Sequence, residues 1–323
     1  MKAIVQDVYG SVEVLELRDV DAPVPGDDDV LIRVRAAGVD QGVWHLMTGL
    51  PYLTRVVGYG LRKPKTRIRG RAVAGRVEAV GRNIVGFRTG DEVYGTCEGS
   101  FAEYACAKEG RLALKPKNLS FEQAAAVPIS AVTALQALRN AGRIQAGQEV
   151  LVIGAAGGVG AYAVQLAKAF GAQVTGVCST AKADLVRSIG ADHVIDYTHD
   201  DFADGSRQFD LIVDTAGNRP LTVLRRALKP KGTLAIVGGE GGGRLTGGFQ
   251  RSLGAGLLSV FVGQRLRGVM AAERAEDLRF LTGLIEAGAV TPVIGKSYAL
   301  ADAPAAIRDL RDGHLRGQAV VTI

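Results

Sequence analysis

The chain has three cysteines in 323 residues, Cys97, Cys106 and Cys178, and no two of them form a C-x-x-C pair. That excludes a disulfide framework and a cysteine-based zinc site. No apolar run reaches transmembrane length. The opening, MKAIVQDVYG, shows no charged segment followed by an apolar one of signal-peptide type. The expectation is a cytoplasmic protein with no membrane partner. A strong charge bias is also lacking. The formal net charge is +6, and the densest basic run is Arg62, Lys63, Lys65, Arg67 and Arg69. Such a short run reads as a solvated or anion-facing loop, not as a nucleic-acid surface.

Glycine is plentiful, at 43 residues, and the chain is long enough for two domains. The informative stretch is 149–171, EVLVIGAAGGVGAYAVQLAKAFG. Residues 150–153 form a short apolar run of the kind found in a buried parallel strand. Gly154, Ala155, Ala156, Gly157, Gly158, Val159 and Gly160 follow, a turn with little side-chain volume. Residues 161–170 read as a helix, with Val164, Ala167 and Lys168 at helical spacing, and Gly171 ends it. A strand, a G-x-x-G-x-x-G turn and a helix start bring main-chain N–H groups close to a pyrophosphate, because no side chain holds the phosphates off. The alternative is a glycine-rich strand-to-helix turn in another α/β protein.

Upstream, the pattern is β-rich. Residues 3–5, 12–17, 30–36, 72–80, 91–94 and 101–107 read as strands, and 38–49 as a short helix. Residues 50–69 form a long irregular connection holding Tyr52 and Tyr59. From Ser120, whose spacing to Gln123 is that of a capping box, strands and helices alternate, which predicts a parallel sheet with helices on both faces. Strands are expected at 173–177, 193–195, 211–214 and 233–237, and helices at 182–189, 220–228, 252–264 and 273–287. Residues 238–248 read either as a mobile loop over a cofactor or as a surface excursion. A strand at 290–294, a helix at 302–312 and a strand at 318–323 exceed what a nucleotide sheet needs, so the tail is expected to return to the first domain.

The second strand of the predicted nucleotide domain ends in Cys178, Ser179 and Thr180, with Lys182 beyond and no acid. A carboxylate there would accept from ribose hydroxyls, whereas hydroxyls and a cation receive a 2′-phosphate. NADPH is therefore the expected cofactor. Ser179 and Thr180 can equally cap the helix that follows.

These features, with Gly38-Val39-Asp40, the segment 87–93 (FRTGDEV), Phe101-Ala102-Glu103-Tyr104, Thr133-Ala134 and Gly190-Ala191-Asp192, resemble the medium-chain dehydrogenase/reductase superfamily, in its zinc-free quinone oxidoreductase-like branch. The resemblance covers essentially the whole chain. It implies an α/β protein with a GroES-like β-rich catalytic domain at 1–122, completed by 290–323. It also implies a Rossmann-type doubly wound NADPH-binding domain at 123–289, with nicotinamide in the cleft. Ser179, Lys182 and Tyr197 match positions around a 2′-phosphate, Thr133 a position near the cofactor, and Gly238 and Gly239 the strand end beside the nicotinamide half. In zinc-dependent relatives a Cys stands at the Asp40 position and the G-H-E motif at Gly70-Arg71-Ala72, so no metal is expected. Within the branch, Asp40, Val43, His45, Ala72 and Gln318 depart from common residues. A homodimer is the family expectation.

The implied reaction is hydride transfer to a quinone or an activated double bond. His45 is the first candidate donor, since its reference pKa of about 6.5 suits proton exchange near neutrality. Tyr52 and Tyr59 are the next, and Asp40 can orient His45, bind substrate or cap the helix at Gln41. Trp44 and Phe261 are candidate apolar walls. Two competing readings are a metal-free carbonyl reductase or alcohol dehydrogenase, and a non-catalytic NADPH-binding module.

Overall fold

The computed structural model describes residues 1–239 and 243–323. Residues 240–242, inside the glycine run read as a loop or surface excursion, lie outside the described residues. The chain divides into two units: one of Met1–Ser130, Glu273–Gly288 and Pro292–Ile323, the other of Ala131–Ala272 and Ala289–Thr291.

The first unit opens with β1 (Lys2–Val5) and β2 (Glu16–Asp19), which pair antiparallel with Ile4 opposite Leu17. Residues 12–17, expected as one strand, instead pass through a 3₁₀ turn at Val12–Val14. Val12 and Leu15 are both buried. Residues three apart share a face in a 3₁₀ turn, and an alternating strand would separate them. Next comes β3 (Asp29–Val39), which buries Val30, Ile32, Val34 and Ala36 and exposes Arg33 and Arg35, as the alternation predicts. It is followed by α1 (Gln41–Thr48), α2 (Tyr52–Thr54), β4 (Ala72–Val80), β5 (Glu92–Thr96), β6 (Tyr104–Lys108) and β7 (Leu112–Leu114). The Ser120–Gln123 capping box starts α3 (Phe121–Ala125).

The second unit begins inside α4 (Pro128–Gln136). It continues as β8 (Glu149–Ile153), α5 (Gly158–Ala169), β9 (Gln173–Cys178), α6 (Ala183–Ser188), β10 (His193–Asp196), β11 (Phe209–Asp214), α7 (Leu221–Arg226), β12 (Leu228–Ile236), α8 (Phe249–Leu258) and β13 (Arg265–Gly268). The six strands form a sheet in the order β10-β9-β8-β11-β12-β13, parallel throughout. The order reverses between β8 and β11, and such a switch point is where dinucleotides bind. The helix expected at 252–264 ends at Leu258, and β13 forms an edge strand that the sequence reading does not contain.

The chain then returns to the first unit through α9 (Ala275–Glu286), β14 (Ile294–Ala299), α10 (Ala303–Arg311) and β15 (Gln318–Thr322). Its seven-stranded sheet runs β14-β15-β3-β4-β5-β7, with β6 also on β3. The return of the tail is as expected, with Val321 opposite Ala37. The strand expected at 290–294 starts only at Ile294, past Pro292, which has no N–H to give a ladder.

The unit boundaries differ from 1–122 and 123–289. Helix α3 belongs to the first unit, where Ala125 O packs against Gly38 and Ala126 O accepts from Gln318 Nε2 at 3.2 Å. Helix α9 belongs there too. Its buried stripe of Leu278, Leu281 and Ile285 faces inward, Tyr94 Oη donates to Leu278 O at 2.7 Å, and Asn118 Nδ2 donates to Ile285 O at 2.9 Å. Tyr94 is fully buried, so Tyr94→Phe removes its hydrogen bonds to Leu278 O and Thr282 Oγ1 at almost constant shape. The expected cost is about 2 kcal/mol, read as a lower thermal midpoint of the first unit. An unchanged midpoint would mean that α9 is not anchored through this tyrosine.

Candidate active site

In the second unit, β8 delivers the chain into the turn at Gly154, where φ is +80° and Thr215 Oγ1 stands 2.5 Å from where a Cβ would lie. A Cβ on Gly160 would sit 2.1 Å from Gly154 O, and one on Gly157 3.3 Å from the same oxygen. The turn therefore closes only without side chains at Gly154 and Gly160, while at Gly157 a Cβ fits with a small adjustment. Gly157 is the N-cap of α5 and supplies no side-chain cap, so the first N–H groups of a twelve-residue helix are left to an external acceptor. A cradle that a Cβ would fill, leading to an uncapped helix start, fits a pyrophosphate. Ala155 and Ala156 are buried under the turn.

Gly238 lies against the end of β11, since a Cβ there would meet Thr215 O at 2.3 Å, and Gly239 lies against Gly248. At this sheet edge sits a pair the sequence reading did not single out. Arg251 Nη2, in the first turn of α8, donates to the fully buried Asp214 at 2.5 Å and to Arg219 O at 2.9 Å. Arg251 Nε and Nη1 are buried with no partner. Orphaned donors beside this strand end can serve the polar groups of a bound ligand.

At the other half of the sheet, β9 and β10 pair with Cys178 opposite Asp196. The Thr180 hydroxyl, expected to face a phosphate, donates to Asp196 instead, and Thr198 donates to the same carboxylate at 2.7 Å. The Thr180 and Thr198 hydroxyls hold Asp196 down to a pKa of about 2, so it is ionised at neutral pH with its oxygens engaged by Thr198 in its own loop and by Thr180 after β9. Ser179 makes no side-chain cap bond, and Tyr197 is half exposed. Thr133 lies on α4.

In the first unit the candidates separate. His45 turns Nδ1 to Leu50 O at 2.8 Å, which ties the last turn of α1 to the following loop. The Tyr52 ring stacks on Arg55, 4.8 Å from the guanidinium, with Tyr9 at 4.2 Å. Trp44 packs on the core and carries Arg311 at 5.0 Å over its ring, so it is a packing aromatic. Phe261, expected as a pocket wall, is 84% exposed in the turn before β13. Gln318 is buried and donates to Ala126 O.

Asp40 and Tyr59 gather instead around a residue that the sequence reading treats only as a missing metal ligand, Arg71. Asp40 is the N-cap of α1, accepting from Gly42 N at 2.7 Å, while its Oδ2 is buried and has no partner. Burial pushes the Asp40 carboxyl up, against the pull of Arg71 and of the Gly42 and Val43 N–H groups. Arg71 donates through Nη2 to Glu273, which also accepts from Thr96 Oγ1 at 2.9 Å. Burial works against the Arg71 charge, but Glu273, Asp40 and Tyr59 outweigh it and hold the guanidinium above its usual range. Glu273 stands 202 positions from Arg71 in the chain, which is why local pattern cannot pair them. A cation at position 71 beside an acid at position 40 was the available signal. Among the described residues no group of three or more His, Cys, Asp or Glu is placed to hold a metal ion.

Two family models match the chain: an alcohol dehydrogenase GroES-like domain over residues 26–117 and a zinc-binding dehydrogenase over residues 189–321. The quinone oxidoreductase of Sus scrofa is 31% identical over 331 residues, spanning 98% of this chain and 95% of that protein. The 2-methylene-furan-3-one reductase of Solanum lycopersicum is 39% identical over 252 residues, 74% of this chain. That match spans 62% of the tomato enzyme, less than two thirds of its length. A mycobacterial protein solved in complex with NADPH superposes with a TM-score of 0.85 at 28% identity over 100% of both chains.

The glycine cradle generates a direct test. Gly157→Val places a branched side chain against Gly154 O and over the uncapped start of α5. NAD(P)H affinity, read by nucleotide fluorescence, is expected to fall about tenfold or more while the thermal midpoint without nucleotide stays close to that of the parent. Unchanged affinity would remove this turn from the cofactor site.

Proposed function

Since the chain belongs to the zinc-independent, quinone oxidoreductase-like branch of the medium-chain dehydrogenase/reductase superfamily, we propose that it reduces a conjugated quinone or enone with NADPH. It is an NAD(P)H-dependent oxidoreductase of the quinone-oxidoreductase or enoyl-reductase type. One observation carries the finer reading: the same chain pairs a side-chain-free turn opening on the uncapped α5 with a carboxylate and a guanidinium at positions 40 and 71. Bound nicotinamide supplies the hydride. The chain's own residues bind the nucleotide and manage the charge and proton on the substrate's oxygen.

On the nucleotide side, Gly154, Gly157 and Gly160 admit the pyrophosphate to the α5 N–H groups. Ser179, Lys182 and Tyr197 are proposed to receive the 2′-phosphate. The Asp196 oxygens are engaged by Thr180 and Thr198, so the cation of Lys182 is the group proposed to offset the phosphate charge. The NADPH complex of the mycobacterial structural relative supports the same choice. On the substrate side, Asp40 and Tyr59 are the favoured proton-handling groups, since both lie within electrostatic reach of Arg71. His45 is proposed to position the loop after α1.

We also propose a cytoplasmic homodimer. Leu253, Leu257, Val260 and Phe261 stand exposed on α8 and in the turn after it, an apolar run that a second copy can cover. Phe261→Asp is expected to shift the protein towards monomer in light scattering, and an unshifted mass distribution would remove this face from the interface.

For the cofactor, Lys182→Ala is expected to raise the KM for NADPH about tenfold and leave that for NADH near its starting value. Equal effects on both cofactors would contradict the 2′-phosphate role. Turnover is expected to be unaffected by a strong chelator, and loss of activity on chelation would contradict a metal-free electrophile.

A further inference from the structure

We infer that Arg71 is the hydrogen-bond donor to the substrate's oxygen, holding a carbonyl or quinone oxygen as it becomes an anion, with Asp40 beside it as the second polar contact. The inference rests on the proposed reduction of a conjugated acceptor and names the group that makes it possible.

Three observations carry it. First, Arg71 is anchored at one end only. Nη2 is bound to Glu273, and Glu273 is itself held by Thr96 Oγ1 at 2.9 Å, with Arg111 at 3.8 Å. Among the described residues the Arg71 guanidinium makes no other hydrogen bond. A guanidinium has five N–H donors in a fixed fork, so most remain available. Its side chain is 27% exposed, so a ligand can reach it without unfolding the site.

Second, the surroundings favour an anion. Gly42 has no side chain between Arg71 and the first turn of α1, and a Cβ there would lie 3.9 Å from Nη1. The positive end of an eight-residue helix and a guanidinium thus face the same space. Third, Asp40 is 91% buried and its Oδ2 has no partner, although Oδ1 is bound. A carboxylate oxygen left this way out of water is costly unless it carries a proton or a ligand donates to it. Donors next to an acid or acceptor match an oxygen that first gains charge and then a proton.

The chemistry balances. When the conjugated carbon accepts a hydride, the π electron pair moves onto oxygen and C=O becomes C–O⁻. Arg71 stabilises that oxygen without giving up a proton, because arginine stays charged. One proton from Asp40 or from water then completes the enol or hydroquinone, and the enol relaxes to the saturated ketone.

The test compares the parent with Arg71→Ala and Arg71→Lys in three readouts. With NADPH and 2-cyclohexenone, Arg71→Ala is expected to lose about 100-fold in kcat, the size of losing one oxyanion donor, with NADPH affinity unchanged. Added guanidinium at non-denaturing concentration is expected to restore activity to Arg71→Ala and not to Arg71→Lys. The third readout needs no turnover: 4-nitrophenol bound to the parent is expected to ionise below its solution pKa, seen as its phenolate absorbance, and to stay neutral on Arg71→Ala. If Arg71→Ala fails to fold, Arg71→Lys, which keeps the charge but not the fork, is expected to show lower kcat and weaker phenol ionisation. Native-like Arg71→Ala with unchanged kcat, or lost kcat with neither rescue nor a change in phenol ionisation, would make Arg71 a brace for Glu273 and overturn the inference. Phenol ionisation by a parent that reduces no quinone or enone would instead sink the proposed reaction and leave the anion site standing.

Discussion

A guanidinium drawn into a protein must find its countercharges inside the fold, and the β-rich unit is arranged around that constraint at Arg71. Removing one partner from a half-buried ion pair leaves a poorly compensated charge, so separating the elements that carry the partners is costly. Glu273 enters from the chain segment that leads into α9, Thr96 ends β5, and Asp40 caps α1 at the end of β3. One cation therefore draws three separated stretches of chain to one place. It also explains how a domain built like a metal-dependent scaffold can work without a metal: a fixed positive charge with directed N–H donors does the work of polarising oxygen.

The parallel-sheet unit obeys a different constraint, which is absence of volume. Gly160 has Gly154 O where its Cβ would be, and Gly238 has Thr215 O. Such close approaches fix the turn geometry without any side-chain bond, and they leave the α5 N-terminus open. Fold and site depend here on the same missing atoms. Asp196 shows the complementary device. Its ionised carboxylate is held locally by two threonine hydroxyls, which fix where its oxygens point.

The legibility of the sequence follows from the range of each interaction. The 149–171 stretch, the alternation in β3 and the capping box at Ser120 are local signals, and the structure contains all three; the return of the tail follows from its surplus of elements over what the nucleotide sheet needs. Strand β13 is hard to read because Arg265–Gly268 is four residues long and carries one buried residue, too short an alternation to separate it from the apolar helix before it. The amphipathic stripe of α9 does not say which core it joins, so pattern alone groups it with the nucleotide sheet while packing puts it in the first unit. Asp40 and Tyr59 were visible as candidates, but their common focus was not. Arg71 finds Glu273 only once the chain has folded back across both units' sequence. In sequence Thr180 reads as free for a phosphate, because its partner, Asp196, lies on the next strand.

The most direct measurement is the fate of deuterium when an enone is reduced with NADPH labelled at the transferring position of C4, with the product examined by NMR. The account predicts a saturated ketone carrying the label on the former β-carbon, because the oxygen is held as an anion while the conjugated carbon takes the hydride. Label on the carbinol carbon of an allylic alcohol would show direct carbonyl reduction and contradict it.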